Sequence, residues 1–484
     1  MTLRLIQFEN STTTVNFIAD SYDVKCSIIV GENGAGKSSV LFNIAHLFDR
    51  AFEIIMNKHS RRKSQKNQQQ KFSSIKYIID SKEIILSVEG NNVSMMLDRR
   101  LIQPSLSFMP RKVLAFAHLP TDRYPFKIQT DDSRYVYLGL RQTTNMMSTS
   151  ALVSKIMKSI WIASRDTLRA DMISDTLQTV GLDRSVTASF KIRDKELLSI
   201  NDFEGFRSRL QFTLRNVNSI DSDIFSAKND DIIFQAFSFI EGAGASSVQR
   251  LSKSNDDFIK FELLDRKFSN DILGMEFLRD IKVITNPEIL FKKKSDGNEV
   301  KFSDLSSGDQ QILGTNLRLV SEIEPRSLIL IDEPEVSLHP KRQQEYVPGL
   351  YRNVPFIDSC TVVMATHSNL LVSNLPKNSS VISMRPSIGA RKQFLAMELD
   401  PHGLPSEQVL YSVFGIDAAT SYYALKDVQR IIEISQSQRT ESKLNTRQLE
   451  EVLEIKLRLQ KSAAARAPVV LEVMPLIAEI LNNA

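Results

Sequence analysis

With 484 residues the chain has room for two to four domains at roughly 100–200 residues each, and with 42% hydrophobic and 24% charged side chains it is neither disordered nor collagenous in composition. Sixty-one basic against fifty-seven acidic residues leave a formal charge of +4, too little to argue nucleic-acid binding from bulk charge. Two cysteines, Cys26 and Cys360, exclude a disulfide framework and a cysteine-based zinc site; no apolar run reaches the ~18–20 residues that span a bilayer, and a cytoplasmic protein without membrane partners is expected.

In chain order, Leu3–Phe8, Thr14–Phe17 and Lys25–Val30 are rich in β-branched and aromatic residues and predict three short strands. The third runs straight into a glycine-rich turn. From Lys37 the apolar residues Val40, Leu41, Ile44, Ala45 and Phe48 recur at helical spacing, so strand, glycine loop and helix follow in order. Residues 57–71 carry six basic side chains and a glutamine run without periodicity, and read as a loop, either simply solvated or touching a phosphate backbone. Strands resume at Ile75–Ile79, Glu83–Val88 and Val113–Ala117, the last ending in the polar turn His118–Tyr124. From about 146 to 285 the pattern is helical, with Leu152, Ile156, Ile160 and Ala163 on one face. Pro287–Phe302 predicts a hairpin around Ser295–Asn298, whose Lys292, Lys293 and Lys294 are either a second contact for a phosphate backbone or a solvated face. Helices then alternate with the apolar strands Leu328–Ile331 and Val362–Ala365 up to about Met397. The C-terminal stretch is helical again, and its stripe Leu449, Val452, Leu453, Leu457 suits either a core or a docking face.

Four motifs carry chemistry. Residues Gly31, Glu32, Asn33, Gly34, Ala35, Gly36, Lys37 and Ser38 match the phosphate-loop pattern in full, with Ser39 next in the helix. Glycines let the backbone turn its N–H groups inward on the phosphates of a nucleotide, and the following helix adds its N-terminal partial charge. Lys37 would reach the β and γ phosphates and Ser38 would offer its hydroxyl to Mg²⁺. In 328–335 an apolar strand ends in carboxylates: Asp332 would hold Mg²⁺, and Glu333 would deprotonate the attacking water. Ser306, Ser307, Gly308 and Asp309 open an apolar helix 24 positions before Asp332, counted from Gly308, and read as an ordinary helix cap or as an anion site that completes a partner subunit's nucleotide site. His367 follows a strand 34 residues after Glu333 and is a candidate γ-phosphate sensor.

These motifs in this order, with the turn Ser337-Leu338-His339-Pro340, resemble those of soluble ATP-binding-cassette ATPase heads, as in SMC proteins, double-strand-break repair ATPases and the overcoming-lysogenization-defect family. The resemblance covers about 1–56, 72–142 and 285–400. It implies an α/β fold, a P-loop NTPase sheet with an antiparallel β lobe. Lobe I would span 1–145, a helical insertion 146–285, lobe II 286–400, and a helical partner-binding region 401–484. It implies ATP and Mg²⁺ as ligands and a head-to-head dimer in which Ser306 to Asp309 of one head face the phosphate loop of the other. Ser307 and Asp309 depart from the Leu-Ser-Gly-Gly-Gln form of the signature, and no glutamine takes the lid position, where His118–Tyr124 falls.

Three further stretches, 135–141, the signature, and 401–416, resemble the ATPase subunit of the Septu antiphage system, including members that accompany retrons. That resemblance implies a partner HNH-type nuclease and, in retron operons, a reverse transcriptase with its multicopy single-stranded DNA. The six histidines form no His-Asn-His pair, so the nuclease is expected on another chain. A repair ATPase acting on DNA ends and a nucleotide-gated scaffold with negligible hydrolysis are the competing readings.

Overall fold

The computed structural model describes residues 2–18, 24–32, 34–56, 72–117, 122–126, 133–139, 149–215, 230–244, 248–250, 257–264, 272–385, 391–414, 422–441, 446–461 and 468–482. The basic loop 57–71, Asn33, and 118–121 of the polar turn lie outside these residues. The chain divides into two compact units, Met1–His402 and Gly403–Ala484.

The first unit opens with the antiparallel pair β1 (Leu3–Asn10) and β2 (Thr13–Asn16), followed by β3 (Cys26–Val30), which feeds the glycine loop and helix α1 (Lys37–Ile55). Then β4 (Ser73–Ile79), β5 (Lys82–Glu89), β6 (Asn92–Leu97) and β7 (Arg100–Ile102) form an antiparallel meander, and β8 (Val113–Ala117) and β9 (Tyr135–Tyr137) pair in parallel. The middle of the chain supplies α2 (Thr149–Ala163), α3 (Thr167–Thr179), β10 (Leu182–Lys191), α4 (Phe203–Arg215), α5 (Asp230–Gly244), β11 (Val248–Arg250), β12 (Asp257–Glu262), α6 (Ile272–Asp280), β13 (Glu288–Lys293) and β14 (Glu299–Lys301). The last part carries α7 (Ser307–Glu322), β15 (Leu328–Asp332), α8 (Pro340–Asn353), β16 (Thr361–Ala365), α9 (Asn369–Val372), β17 (Ser379–Arg385) and β18 (Lys392–Ala396).

Among the described residues, thirteen strands form one sheet in the order β7-β6-β5-β4-β1-β2-β18-β17-β3-β16-β15-β8-β9. From β17 to β9 all pairs are parallel, and every residue of β3, β8, β15 and β16 is buried. That double burial is why these strands read as unbroken apolar runs. The other wing is mostly antiparallel and alternates, as in β5, where Ile84, Leu86 and Val88 point inward. Helix α1 buries Val40, Leu41, Ile44, Ala45 and Phe48 as its periodicity requires, against a core that includes Leu330, Val363 and Ala365.

The stretch 146–285, expected to be helical, is a mixed α/β insertion. Strands β10, β11 and β12 join the predicted hairpin β13–β14 in a second, five-stranded antiparallel sheet, β11-β12-β10-β13-β14. Its core is aromatic: Phe190 stacks on Phe261 with centroids 5.8 Å apart, and Trp161 of α2 meets Phe261 edge-on at 5.2 Å. Strand residues and helix residues thus share one aromatic cluster, which blurs the period-2 pattern in the sequence. On this sheet Lys260 pairs with Glu299 and Lys301 with Glu288, both at 3.0 Å.

The second unit comprises α10 (Ser406–Phe414), α11 (Tyr422–Glu441), α12 (Thr446–Lys461) and α13 (Pro468–Asn482). Val428, Ile431 and Ile434 of α11 pack with Val452, Ile455 and Leu459 of α12 and Val470, Val473, Ile477 and Ile480 of α13. Two bidentate ion pairs, Arg430–Glu451 and Arg458–Asp427, clamp α11 to α12 at 2.8–3.1 Å. The expected C-terminal stripe therefore splits: Val452 enters the core, while Leu453 and Leu457 are 49% and 53% exposed. Among the described residues no helix is long and apolar enough to cross a membrane.

Candidate functional site

Parallel register gathers the chemistry at the C-terminal ends of the central parallel strands. Asp332 at the end of β15 lies opposite Ala117 of β8 and Ala365 of β16, and Ala365 lies opposite Ile29 of β3. The glycine loop, the acidic turn and the turn holding His367 all leave the sheet at this level, the place where open parallel sheets collect ligands.

In the loop Gly34 and Gly36 adopt φ of +81° and +104°, a region that L side chains rarely adopt. Gly36 is the N-cap of α1, so Lys37 and Ser38 begin the helix with its free N–H groups facing the loop. Ser39 is exposed on the same first turn. Lys37 is 4% exposed and its ammonium donates to the carbonyls of Gly31 at 3.0 Å and Glu32 at 3.1 Å. It also lies 2.7 Å from His367 Nε2. The ammonium has only donors, so the ring meets it as an acceptor. Burial lowers the Lys37 pKa, and the carboxylates of Glu333, Asp332 and Glu335 oppose that shift.

Glu333 takes a left-handed φ of +48°, held by its N–H donating to Ala365 O at 2.9 Å, and this aims its carboxylate at His367, with Oε1 3.4 Å from Nε2. Glu335 accepts the His367 backbone N–H at 2.6 Å. Asp332 is 4% exposed; burial pushes its pKa up to about 7, against a hydrogen bond from Ser38 and with the charges of Glu333, Glu335 and Asp122 adding to the rise. Its Oδ1 has no hydrogen-bond partner, which leaves a buried anionic oxygen next to Ser38 that a divalent cation fits. Among the described residues no three His, Cys, Asp or Glu side chains converge into a metal cage. Mg²⁺ would therefore take Ser38 and Asp332 and draw its other oxygens from phosphate and water, which is its usual habit.

Ser306 N-caps α7, its hydroxyl accepting the Asp309 N–H at 3.2 Å and donating to Asp309 Oδ2 at 2.8 Å. Asp309 pairs with Arg342 of α8 at 3.2 Å. Gly308 abuts the turn after the acidic pair: a Cβ there would lie 3.2 Å from Ser337 O and 3.6 Å from Leu338 Cδ2. His339 caps α8 through Nδ1, and Gln311 of α7 donates to Pro334 O at 2.9 Å. Ser306 and Ser307 are exposed, and among the described residues no hydrogen bond or ion pair joins 306–309 to the phosphate loop of the same chain.

Lys37, Ser38, Asp332, Glu333 and His367 thus converge in one chain, whereas Ser306 to Asp309 stand apart. The sequence reading passed over Glu335, although it closes the same acidic run. It also passed over Asp122, a buried carboxylate that accepts the Tyr137 hydroxyl at 2.6 Å within the turn assigned to the lid. Arg318 of α7 donates to the carbonyls of Tyr137 at 3.2 Å, Gly139 at 3.3 Å and Leu138, tying the helix that Ser306 caps to the strand beside the site. Lys392, whose ammonium donates to Ala35 O at 2.8 Å, left no mark in the sequence, because only closure of the sheet through β18 brings it to the loop.

Fold and site together define an ATPase of the P-loop kind. A family model described as "AAA domain, putative AbiEii toxin, Type IV TA system" matches residues 185–373. A curated relative, "Retron Vc95 probable ATPase" of Vibrio cholerae serotype O1 biovar El Tor, is 23% identical over 423 residues, covering 81% of this chain and 74% of the relative. Among solved structures, an Smc head domain with an extended coiled coil from Pyrococcus furiosus aligns at 12% identity with a TM-score of 0.35, over 82% of this chain and 96% of that one. The SMC head domain from Thermotoga maritima aligns at 11% identity with a TM-score of 0.35, over 82% of this chain and 100% of that one.

Proposed function

We propose that the chain binds MgATP at the ends of β3, β15 and β16 and hydrolyses it as the ATPase subunit of an antiphage defence complex. The observation that carries the ATPase chemistry is the meeting of Lys37, Glu333 and His367, three residues from distant parts of the chain, within 2.7 and 3.4 Å contacts. A triphosphate offers the Lys37 ammonium better acceptors than the carbonyls of Gly31 and Glu32. Drawing the ammonium onto the phosphates frees the His367 ring to contact the γ-phosphate, the sensor role expected for it. Glu333 then accepts the proton of the water whose oxygen attacks phosphorus as the bond to the β–γ bridging oxygen breaks. Ser38 and Asp332 would hold Mg²⁺, which would supply charge neutralisation on the phosphate oxygens.

The exposed Ser306 and Ser307, with no hydrogen bond or ion pair to the phosphate loop among the described residues, support a second head completing the site in trans. The retron relative supports a defence role, and the Septu resemblance supports an HNH nuclease partner, with a reverse transcriptase and its DNA where a retron is present. Glu333→Gln tests the chemistry: it should abolish turnover, keep ATP affinity, and shift the protein to an ATP-bound dimer by light scattering. Turnover equal to wild type would remove Glu333 as the base. Native mass spectrometry of the chain expressed with its neighbouring genes tests the partner, expected as a stoichiometric HNH protein; a bare dimer stimulated by DNA ends would favour a repair ATPase.

A further inference from the structure

Lys392 lies on β18, more than 350 residues from the glycine loop in sequence, yet its side chain rests on that loop. Its ammonium donates to Ala35 O at 2.8 Å and sits 3.1 Å from the point a Cβ on Gly36 would occupy. The adjacent cation is neutralised: Arg391 meets Glu9 at 3.6 Å and donates to Asn10 O at 2.7 Å. Among the described residues Lys392 has no carboxylate partner, and one carbonyl uses one of its three donors. An exposed lysine on a four-carbon stem, held against a loop built to collect anions and left with spare donors and an unneutralised charge, is matched to a polyphosphate.

Resting on the phosphate-loop reading above, we infer that Lys392 is a second nucleotide-binding cation, whose ammonium exchanges Ala35 O for a phosphate oxygen when the triphosphate binds. Lys37 approaches from the helix and Lys392 from the antiparallel wing, so the nucleotide bridges the two halves of the sheet. Because its contact is to phosphate, the contribution grows with phosphate number and is screened by salt.

The test uses the full chain with Mg²⁺ and a fluorescent ATP analogue, its AMP counterpart as control, at ~50 and ~300 mM salt. Lys392→Met should weaken binding of the triphosphate about tenfold, the loss of one charge-assisted hydrogen bond. It should flatten the salt dependence and leave AMP affinity unchanged. Lys392→Arg should restore the affinity. Wild-type triphosphate affinity in Lys392→Met, or a loss equal for AMP and ATP, overturns the inference while leaving the site intact. If wild type binds no ATP, or Lys37→Ala binds it as well as wild type does, the phosphate-loop reading fails and this inference falls with it.

Discussion

Replacing Asp332 by Asn should make the nucleotide-free protein more stable and at the same time blind to Mg²⁺. Burial beside Glu333, Glu335 and Asp122 raises the Asp332 pKa from its ordinary 3.8 to about 7. Below the unfolded value both states hold the proton and nothing is lost. Between the two values the folded state holds a proton that the unfolded state has released, so stability falls as pH rises, by 1.36 kcal/mol per unit. Above the folded value the whole cost is present: three units, or about 4 kcal/mol. Asn keeps the size and a hydrogen-bonding group for Ser38 without the charge. At the unfolding entropy of a unit of 402 residues, about 0.8 kcal/mol per degree, the gain at pH 8 is about 5 °C. Melting of both proteins in EDTA from pH 5 to pH 8 measures it, with the difference expected to shrink steadily toward pH 5. A difference independent of pH would refute the reasoning, and so would a variant that Mg²⁺ with ATP stabilises as much as wild type.

Gly308→Val places carbon where Ser337 O and Leu338 leave 3.2–3.6 Å, displacing the turn beside the signature; turnover should fall at least tenfold while a single head binds ATP normally, which titration and steady-state kinetics separate. Arg318→Met leaves the carbonyls of Tyr137, Leu138 and Gly139 without their donor in a buried place, and should cost about 3 kcal/mol in urea unfolding with an unchanged m-value.

The site was legible where its chemistry is local and its strands are doubly covered. Val30 leading into Gly31, and Ile331 leading into Asp332, each join an unbroken apolar run to a motif whose residues must be contiguous. β17, Ser379–Arg385, and β18, Lys392–Ala396, carry no such run, because they stand where the parallel sheet turns antiparallel and polar residues are tolerated. β12 was hidden for another reason: Phe258, Ile259 and Phe261 sit among Phe-rich helices, and both readings share the same apolar residues. Lys392 depends on a contact across 357 residues, and Asp122 on one between a turn and the next strand, which no local pattern records.

The strand order also sets a timetable for synthesis. β3 delivers the phosphate loop, and its two neighbours in the sheet are β16 and β17, whose first residues are Thr361 and Ser379. At about 5–20 residues per second, the ribosome takes about 17–70 seconds to pass from Val30 to Ser379. Until Thr361 is made both edges of this fully buried strand lack their native partners, and one still does until Ser379, while the whole insertion is being made. The nascent chain therefore carries an open, sticky strand for most of its translation, and trigger-type chaperones, synonymous codons in 146–285 and growth temperature should all govern how much active protein a cell obtains.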